Sequence, residues 1–306
     1  MNTKWERFKQ SYLLYSFKRD RVAIASFIVL MVLILTGILA PVISPFDPYD
    51  AMNIDIMNSD IPPVWSEEGN KDFILGTDIQ GRDLLSTMIY GLRLSIIIGC
   101  GAVMLQALMG IIICLISGYA GGRVDAVLMR IADIQLSFPY LMVAIFISAI
   151  FQVIFGIGRY EELAVPLLII IIGLSEWPQI ARTVRASVMG EKRKEYVEAD
   201  RVIGISPRLI MIRHILPNTM TAVLVISTIQ VANAIMSEAA LSFLGLGMPI
   251  TTPSLGSLIK AGFEYIFSGS WWITLFPGFL LVVLVLVINL LGDWLRDVLN
   301  PKLYKG

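Results

Sequence analysis

Residues Glu195–Asn218 read EYVEADRVIGISPRLIMIRHILPN, inside a polar stretch, Arg182–Pro217, that separates two apolar spans. The stretch carries twelve charged residues, eight basic and four acidic, in a chain that is 56% hydrophobic. Tyr196, Ala199 and Ile203 recur at i, i+3 and i+7 and so share one helical face, with Glu195, Glu198 and Arg201 largely off it. Gly204 ends that helix and Ser206-Pro207 opens another, because glycine suits the position after a helix end and proline the first turn. Helix, break, helix with this much charge is more than a connector requires. A two-faced helix held along a membrane surface suits docking in a partner's groove, its apolar side chains giving affinity and its charges giving register. The plainer alternative is a solvated loop helix.

The flanks decide the class. The chain has 306 residues, equal numbers of acidic and basic side chains, and a mean hydropathy of +0.75. Such apolarity exceeds what one soluble core buries, which points to a polytopic membrane protein. A helix needs about 20 apolar residues to cross the hydrocarbon. Six runs qualify: Val22–Ile43, Leu92–Tyr119, Val127–Phe155, Leu163–Val184, Thr219–Leu241 and Trp272–Leu295. Their helical length excludes the weak, alternating pattern of an outer-membrane barrel.

Charge placement predicts orientation. With the N-terminus inside, the inside segments and their flanks hold nineteen of the twenty-four Lys and Arg. The first outside segment carries nine acids against two bases. By the positive-inside rule both termini are cytoplasmic. The expected organisation is a basic arm at 1–21, a first span at 22–43, an outside loop at 44–91, a five-helix core at 92–295 containing the inside loop 182–217, and a tail at 296–306. The 21-residue polar lead and 22-residue apolar run are both long for a signal peptide, so the first span is an anchor. The arm carries Trp5, Phe8, Tyr12, Tyr15 and Phe17, which suits an interfacial segment, or its charge serves topology alone.

Inside the membrane, Gly99, Gly101, Gly110, Gly118, Gly121 and Gly122 predict close packing, against another helix or another subunit. Pro139 and Pro178 predict kinks in the third and fourth spans. In the outside loop, Thr77 or Asp78 is placed to cap a short helix leading through Gly81-Arg82-Asp83 into the second span.

Several chemistries are absent from the sequence. There is no GxxxxGK[ST] to cradle a nucleotide phosphate, no HExxH and no GxSxG. Cys100 and Cys114, fourteen residues apart on one helix, are separated by about 21 Å and form no mutual disulfide. A single histidine, His214, excludes a His-cluster metal site and a Ser-His-Asp triad within the chain. No catalytic residue, metal ligand or nucleic-acid contact is expected. Glu176 and Glu238 are the intramembrane acids. Each has a structural reading, Glu176 serving backbone groups freed by Pro178 and Glu238 bonding within a helix end, and a gating or path-lining one.

The loop also resembles a known family. Glu198-Ala199-Asp200, then Gly204, then Leu216-Pro217 match the spacing of the EAA loop in permease subunits of binding-protein-dependent ABC importers. Two positions depart from that pattern: Asp200 replaces its second alanine, and His214 replaces the isoleucine of its Ile-x-Leu-Pro ending. LGTDIQGRDLLSTMIYGLRLS (Leu75–Ser95), AGGRVDAVLMRIADI, ARTVR, SEAALSFLGLG and WWITLFPG…NLLGDWLRDVLNPKL are similar to the peptide/nickel branch and to its "C" member.

The resemblance implies an all-α, six-span permease of the type I importer fold in the bacterial inner (cytoplasmic) membrane. It further implies a homologous permease as partner, one or two cytoplasmic P-loop ATPases, and an extracytoplasmic solute-binding protein. The coupling residues would be Tyr196, Glu198, Ala199, Asp200, Gly204, Leu216 and Pro217, with Glu198 holding the helix at the ATPase. No cofactor would be bound here, ATP and Mg being used by the partner ATPases. The expected cargo is di- or oligopeptide, with nickel, glutathione or an opine-like solute as alternatives. A self-contained secondary carrier is the reading of another class, which would need no ATPase-docking helix. A membrane-embedded enzyme lacks any constellation to support it.

Overall fold

The computed structural model describes residues 12–50 and 55–299. Trp5 and Phe8 of the basic arm, and residues 300–306 of the tail, lie outside the described residues. Within them the structure is helical, and pairing of the β type is limited to one isolated bridge, Thr77 with Asp83. Five helices are long and apolar enough to cross a membrane, six if a pair bent by 90°, Gly122–Leu136 with Tyr140–Phe155, is counted as one span.

Helix α1 (Tyr12–Arg19) leads into α2 (Arg21–Ile38), whose first amides, Val22 and Ala23, donate to Asp20 Oδ1. Helix α2 stops at Ile38 and a separate turn, Ala40–Ile43, follows, so the predicted span Val22–Ile43 is two pieces. Helix α3 runs Leu84–Ala120, 37 residues or about 56 Å. Residues 84–91, read from the sequence as the end of the outside loop, are thus already helical.

Two glycines of positive φ, Gly121 and Gly122, turn the chain into α4 (Gly122–Leu136). Helix α5 (Tyr140–Phe155) follows at 90° to it. A continuous third span, Val127–Phe155, is thus corrected. Pro139 bars the helical conformation at Phe138, and the chain turns there. Helix α4 carries Arg123, Asp125, Arg130 and Asp133, which cannot rest in hydrocarbon unpaired. It is tied to α7 (Ala164–Glu191) by two ion pairs, Arg185 with Asp125 and Arg182 with Asp133.

The short α6 (Ile157–Glu162) precedes α7. Helix α7 continues two turns beyond the predicted end at Val184 and passes through Pro178 unbroken. Helices α3 and α7 form the spine of the fold. A Cβ at Gly110 would meet Ile180 at 2.8 Å, and one at Gly118 would meet Val188 at 2.6 Å. Gly99 faces Ile235, and Gly101 faces Ile169. Of the two packing partners expected for these glycines, the structure shows the helix. Without a hydrophobic drive between helices in lipid, such close approach supplies the packing that holds them.

The remaining elements are α8 (Glu195–Val202), a turn at Pro207–Ile210, a π turn at Met211–Ile215, α9 (Leu216–Phe243), α10 (Leu255–Phe263) and α11 (Trp272–Leu299). Ser254 and Ser257 close α10 with a capping box, so this short helix can sit packed between longer ones.

Candidate functional site

The segment between α7 and α9 folds as a helical loop at the basic end of the bundle. Gly204 has φ +87°, and the amides of Gly204 and Ile205 donate to Arg201 and Asp200 oxygens, at 3.1 and 3.0 Å. These two bonds are the Schellman pattern that ends a helix with a left-handed residue. No atom lies within 4 Å of where a Cβ would stand on Gly204, so the turn requires its conformation and not its size.

Val197 alone anchors α8 in the core, fully buried among Val184, Val188, Ile210 and Ile215. Glu198 and Ala199 are exposed, and Val202 and Ile203 are 89% and 76% exposed. The predicted apolar face of Tyr196, Ala199 and Ile203 is therefore presented outward. Val197, between those positions, makes the inward contact.

Polar ties fix the helix on its inner side. Tyr196 Oη donates to Glu191 Oε2 at 2.6 Å and accepts from Asn218 Nδ2 at 3.2 Å. Burial and then the Glu191 carboxylate push the Tyr196 phenol up to about 12, so it remains a donor. Asn218 Nδ2 also donates to the His214 carbonyl at 2.7 Å. Asp200 Oδ2 lies 3.1 Å from His214 Nδ1. Pro217 opens α9, and the Leu216 amide reaches five residues back to Met211, forming the π turn.

Neither intramembrane glutamate stands alone. Glu176, 2% exposed, accepts from Ser237 Oγ at 2.6 Å and from Gln106 Nε2 at 3.3 Å. Gln106 Oε1 accepts from Gln230 at 3.3 Å, and Gln230 Oε1 from Asn233 at 2.8 Å. This chain of amides crosses α3, α7 and α9 and ends at an exposed side chain, Asn233, within the span. Glu238 is fully buried and accepts from Ser95 at 2.9 Å and Ser242 at 2.7 Å. Ser254, at the cap of α10, adjoins Ser242 at 3.4 Å.

The backbone freed by Pro178 is served from elsewhere. Gln135 Nε2, on α4, donates to the carbonyls of Leu174 and Ser175 at 2.6 and 3.0 Å. Leu174 is the residue four before the proline, whose carbonyl loses its helical donor. Glu176 is turned toward Ser237 and Gln106 instead. Polar amides at membrane depth, Gln106 and Gln230, were the signal available in the sequence for this network.

At the opposite, acidic end the GTDIQGRD stretch makes a closed knot. Asp78 and Arg82, 1% and 3% exposed, form an ion pair at 2.6 Å, and Arg82 Nη1 also donates to the Ile250 carbonyl at 3.0 Å. Asp83, rather than Thr77 or Asp78, caps the second span, accepting from the Ser86 amide at 2.8 Å. Burial pushes its carboxyl up, against the pull of the Ser86 bonds. Thr77 Oγ1 joins the Asn58 carbonyl and the Ile61 amide, and its own carbonyl accepts from the Trp272 indole.

A cleft of about 570 Å³ opens at the basic end between α7, α9 and α11. Thr183, Ser187, Asn218 and Thr221 line it, and Glu191 and Arg296 are also in its wall. Among the described residues no group of three or more His, Cys, Asp or Glu is placed to hold a metal ion.

Comparison with known proteins bears on both ends. Residues 110–305 match the family described as binding-protein-dependent transport system inner membrane component. Residues 5–63 match the N-terminal TM domain of oligopeptide transport permease C. The di/tripeptide transport system permease protein DppC of Pseudomonas aeruginosa is 36% identical over 94% of this chain and 90% of its own length. The dipeptide permease protein DppC of Escherichia coli is 37% identical over 94% and 91%, and the oligopeptide permease protein OppC of Bacillus subtilis 36% over 94% and 88%. Among solved structures, an inward-facing MetNI methionine ABC transporter superposes with a TM-score of 0.55 at 20% identity, over 70% of this chain and 97% of that one. That likeness is one of fold.

Proposed function

This chain belongs to the inner-membrane components of binding-protein-dependent transport systems, and we propose that it forms, with a homologous permease, the path for di- or oligopeptide uptake driven by partner ATPases. The observation that carries this reading is α8: a helix anchored by one buried valine, with Glu198, Val202 and Ile203 left exposed. An outward apolar edge beside carboxylates is what a helix needs to seat in a groove of another protein. The peptide cargo is carried over from the relatives, whose names specify dipeptides, tripeptides and oligopeptides.

In this reading the basic end faces the cytoplasm, as the positive-inside rule requires. One or two P-loop ATPases take α8, the solute-binding protein docks at the acidic end, and the membrane is the inner one. ATP and Mg are bound and used by the ATPases. Closure of the ATPases moves α8, and α7 and α9 carry that movement into the spans. Tyr196, Glu198, Ala199, Asp200 and Gly204, with Leu216-Pro217 at the start of α9, form the transmitting element. Glu176 and Glu238 act as gating ties, because any sliding of α7 or α3 against α9 strains their hydrogen bonds. Asn233 is the member of that network that reaches the exposed face.

The test is purification of the tagged chain from its native membrane in mild detergent, with its companions identified. Recovery of a second permease and P-loop ATPases, with peptide held by the cognate binding protein, is expected. Recovery of the chain alone, still transporting after reconstitution, would overturn the proposal.

A further inference from the structure

The two departures from the EAA-loop pattern meet in space. Asp200 stands where that pattern has alanine and His214 where it has isoleucine, and their side chains are 3.1 Å apart. Asp200 Oδ2 is buried and forms no hydrogen bond, so the close approach of His214 Nδ1 is the polar contact it has. The aspartate lies on α8 and the histidine in the π turn that begins α9. The contact therefore bridges the Gly204 turn, whose surroundings are empty.

We propose that Asp200 and His214 are positioning residues, a polar clasp that fixes the angle between α8 and α9 so that displacement of α8 is passed to the span. The inference rests on the reading of α8 as the ATPase-docking helix. Without the clasp, three ties remain on α8, one of them the Arg201 guanidinium 5.5 Å over the Tyr119 ring of α3. Val197 packs on aliphatic side chains and sets depth more than direction. Tyr196 reaches Glu191 and Asn218 from the other end of the helix. Tyr196 meets α9 from the far end of the helix and Arg201 meets α3, so beside the Gly204 turn the polar contact toward α9 is the clasp. The π turn adds to the need, since the regular four-residue ladder is interrupted at the turn that carries His214. An alanine–isoleucine pair would fill the same gap by apolar contact, so the polar pair and the apolar pair are alternative solutions at one joint. Mixed pairs are neither: Asp200 facing isoleucine is a buried carboxylate without a partner.

The experiment uses the reconstituted complex with its ATPases and binding protein, and reads solute transported per ATP hydrolysed. Asp200→Ala and His214→Ile singly are expected to lower that ratio about tenfold, the scale of leaving one member of a close polar pair without its partner. The double variant D200A/H214I is expected to return it to the parent value. A charge-reversed pair, D200H/H214D, should recover part of it, and guards against a single variant that fails to fold. Parent-like coupling in both single variants overturns the clasp, as does a double variant no better than the singles. A parent complex that neither recovers ATPases nor couples hydrolysis to uptake overturns the docking reading itself, an outcome distinct from either.

Discussion

The two motif-rich stretches of this molecule, Leu75–Ser95 and Glu195–Asn218, differ in what they do with their polar groups. At the acidic end, Asp78, Arg82, Asp83 and Thr77 turn inward and bond to one another and to three distant segments, at Asn58–Ile61, Ile250 and Trp272. At the basic end, Glu198, Ala199, Val202 and Ile203 turn their side chains outward, away from the bundle. The first stretch completes the protein and the second leaves it incomplete. Equal density of recognisable residues thus has two causes. One motif is spelled out because a knot of buried charges tolerates few solutions. The other is spelled out because a second protein must fit it.

That contrast is broken most directly at Arg82. Arg82→Ala strands Asp78 in a site that is 1% exposed, and loss of one partner of a buried pair costs about 3–5 kcal/mol. The expected result is loss of folded protein from the membrane fraction, read by yield and by thermal midpoint in detergent. A well-folded Arg82→Ala protein would mean that the acidic-end knot is not what holds loop to bundle.

The glycines sharpen it. Gly81 and Gly204 both have positive φ, 78° and 87°. For Gly204→Ala the backbone strain alone applies, about 1–2 kcal/mol. Gly81→Ala adds a clash with the Asp55 backbone carbonyl, whose oxygen lies 1.9 Å from where the Cβ would stand. Stability should therefore fall further for Gly81→Ala, while uptake per folded molecule should fall further for Gly204→Ala. If the two variants rank the same way in both measurements, the division of labour between the ends is wrong.

A smaller effect is expected midway, at the joint of α4 and α7. Gln135→Leu removes the donor to the Leu174 and Ser175 carbonyls, and interhelical bonds of this kind in membranes average about 0.6 kcal/mol and reach about 2. The thermal midpoint should drop modestly. Replacing the exposed Arg182, whose pair with Asp133 is 58% and 46% exposed, should change it less, since such pairs contribute at most about 1 kcal/mol.

These cases also mark what the sequence could and could not disclose. The glycine-ended helix at Gly204 is a local signal, set by neighbours in the chain, and the structure has it where the pattern put it. The apolar runs are helical, with the first and third broken and the second begun earlier. The break at Phe138-Pro139 is local too, but a proline in an apolar run predicts a kink without its angle, and the 90° turn depends on α4 finding Arg182 and Arg185. Asp83 outcompetes Thr77 and Asp78 as the cap because those two are engaged elsewhere, at Asn58, Ile61 and Arg82. Gln106, Gln230 and Glu176 stand 70 or more residues apart for two of their contacts, and no period or spacing announces such a meeting. Asp200 and His214 are each visible as oddities in a pattern, and only the fold makes them a pair.

The least effect on stability is expected at the outermost point of α8. Ile203 is 76% exposed, and a surface substitution free of caps and cores stays within about 0.5 kcal/mol. Ile203→Ser should therefore leave yield and thermal midpoint at the parent values. Its apolar surface nonetheless lies beside Val202, which is 89% exposed, on the edge that the docking reading assigns to the ATPase. Recovery of P-loop ATPases with the tagged chain should fall, and fall further for Val202→Ser with Ile203→Ser. Were stability to drop with Ile203→Ser as it does with Arg82→Ala, the residue would be packed within the chain and the two ends would not differ as argued. Were stability and ATPase recovery both unchanged in the double variant, the exposed edge of α8 would not be the surface that meets the ATPase, and the contact would have to be sought on the carboxylate side, at Glu195 and Glu198.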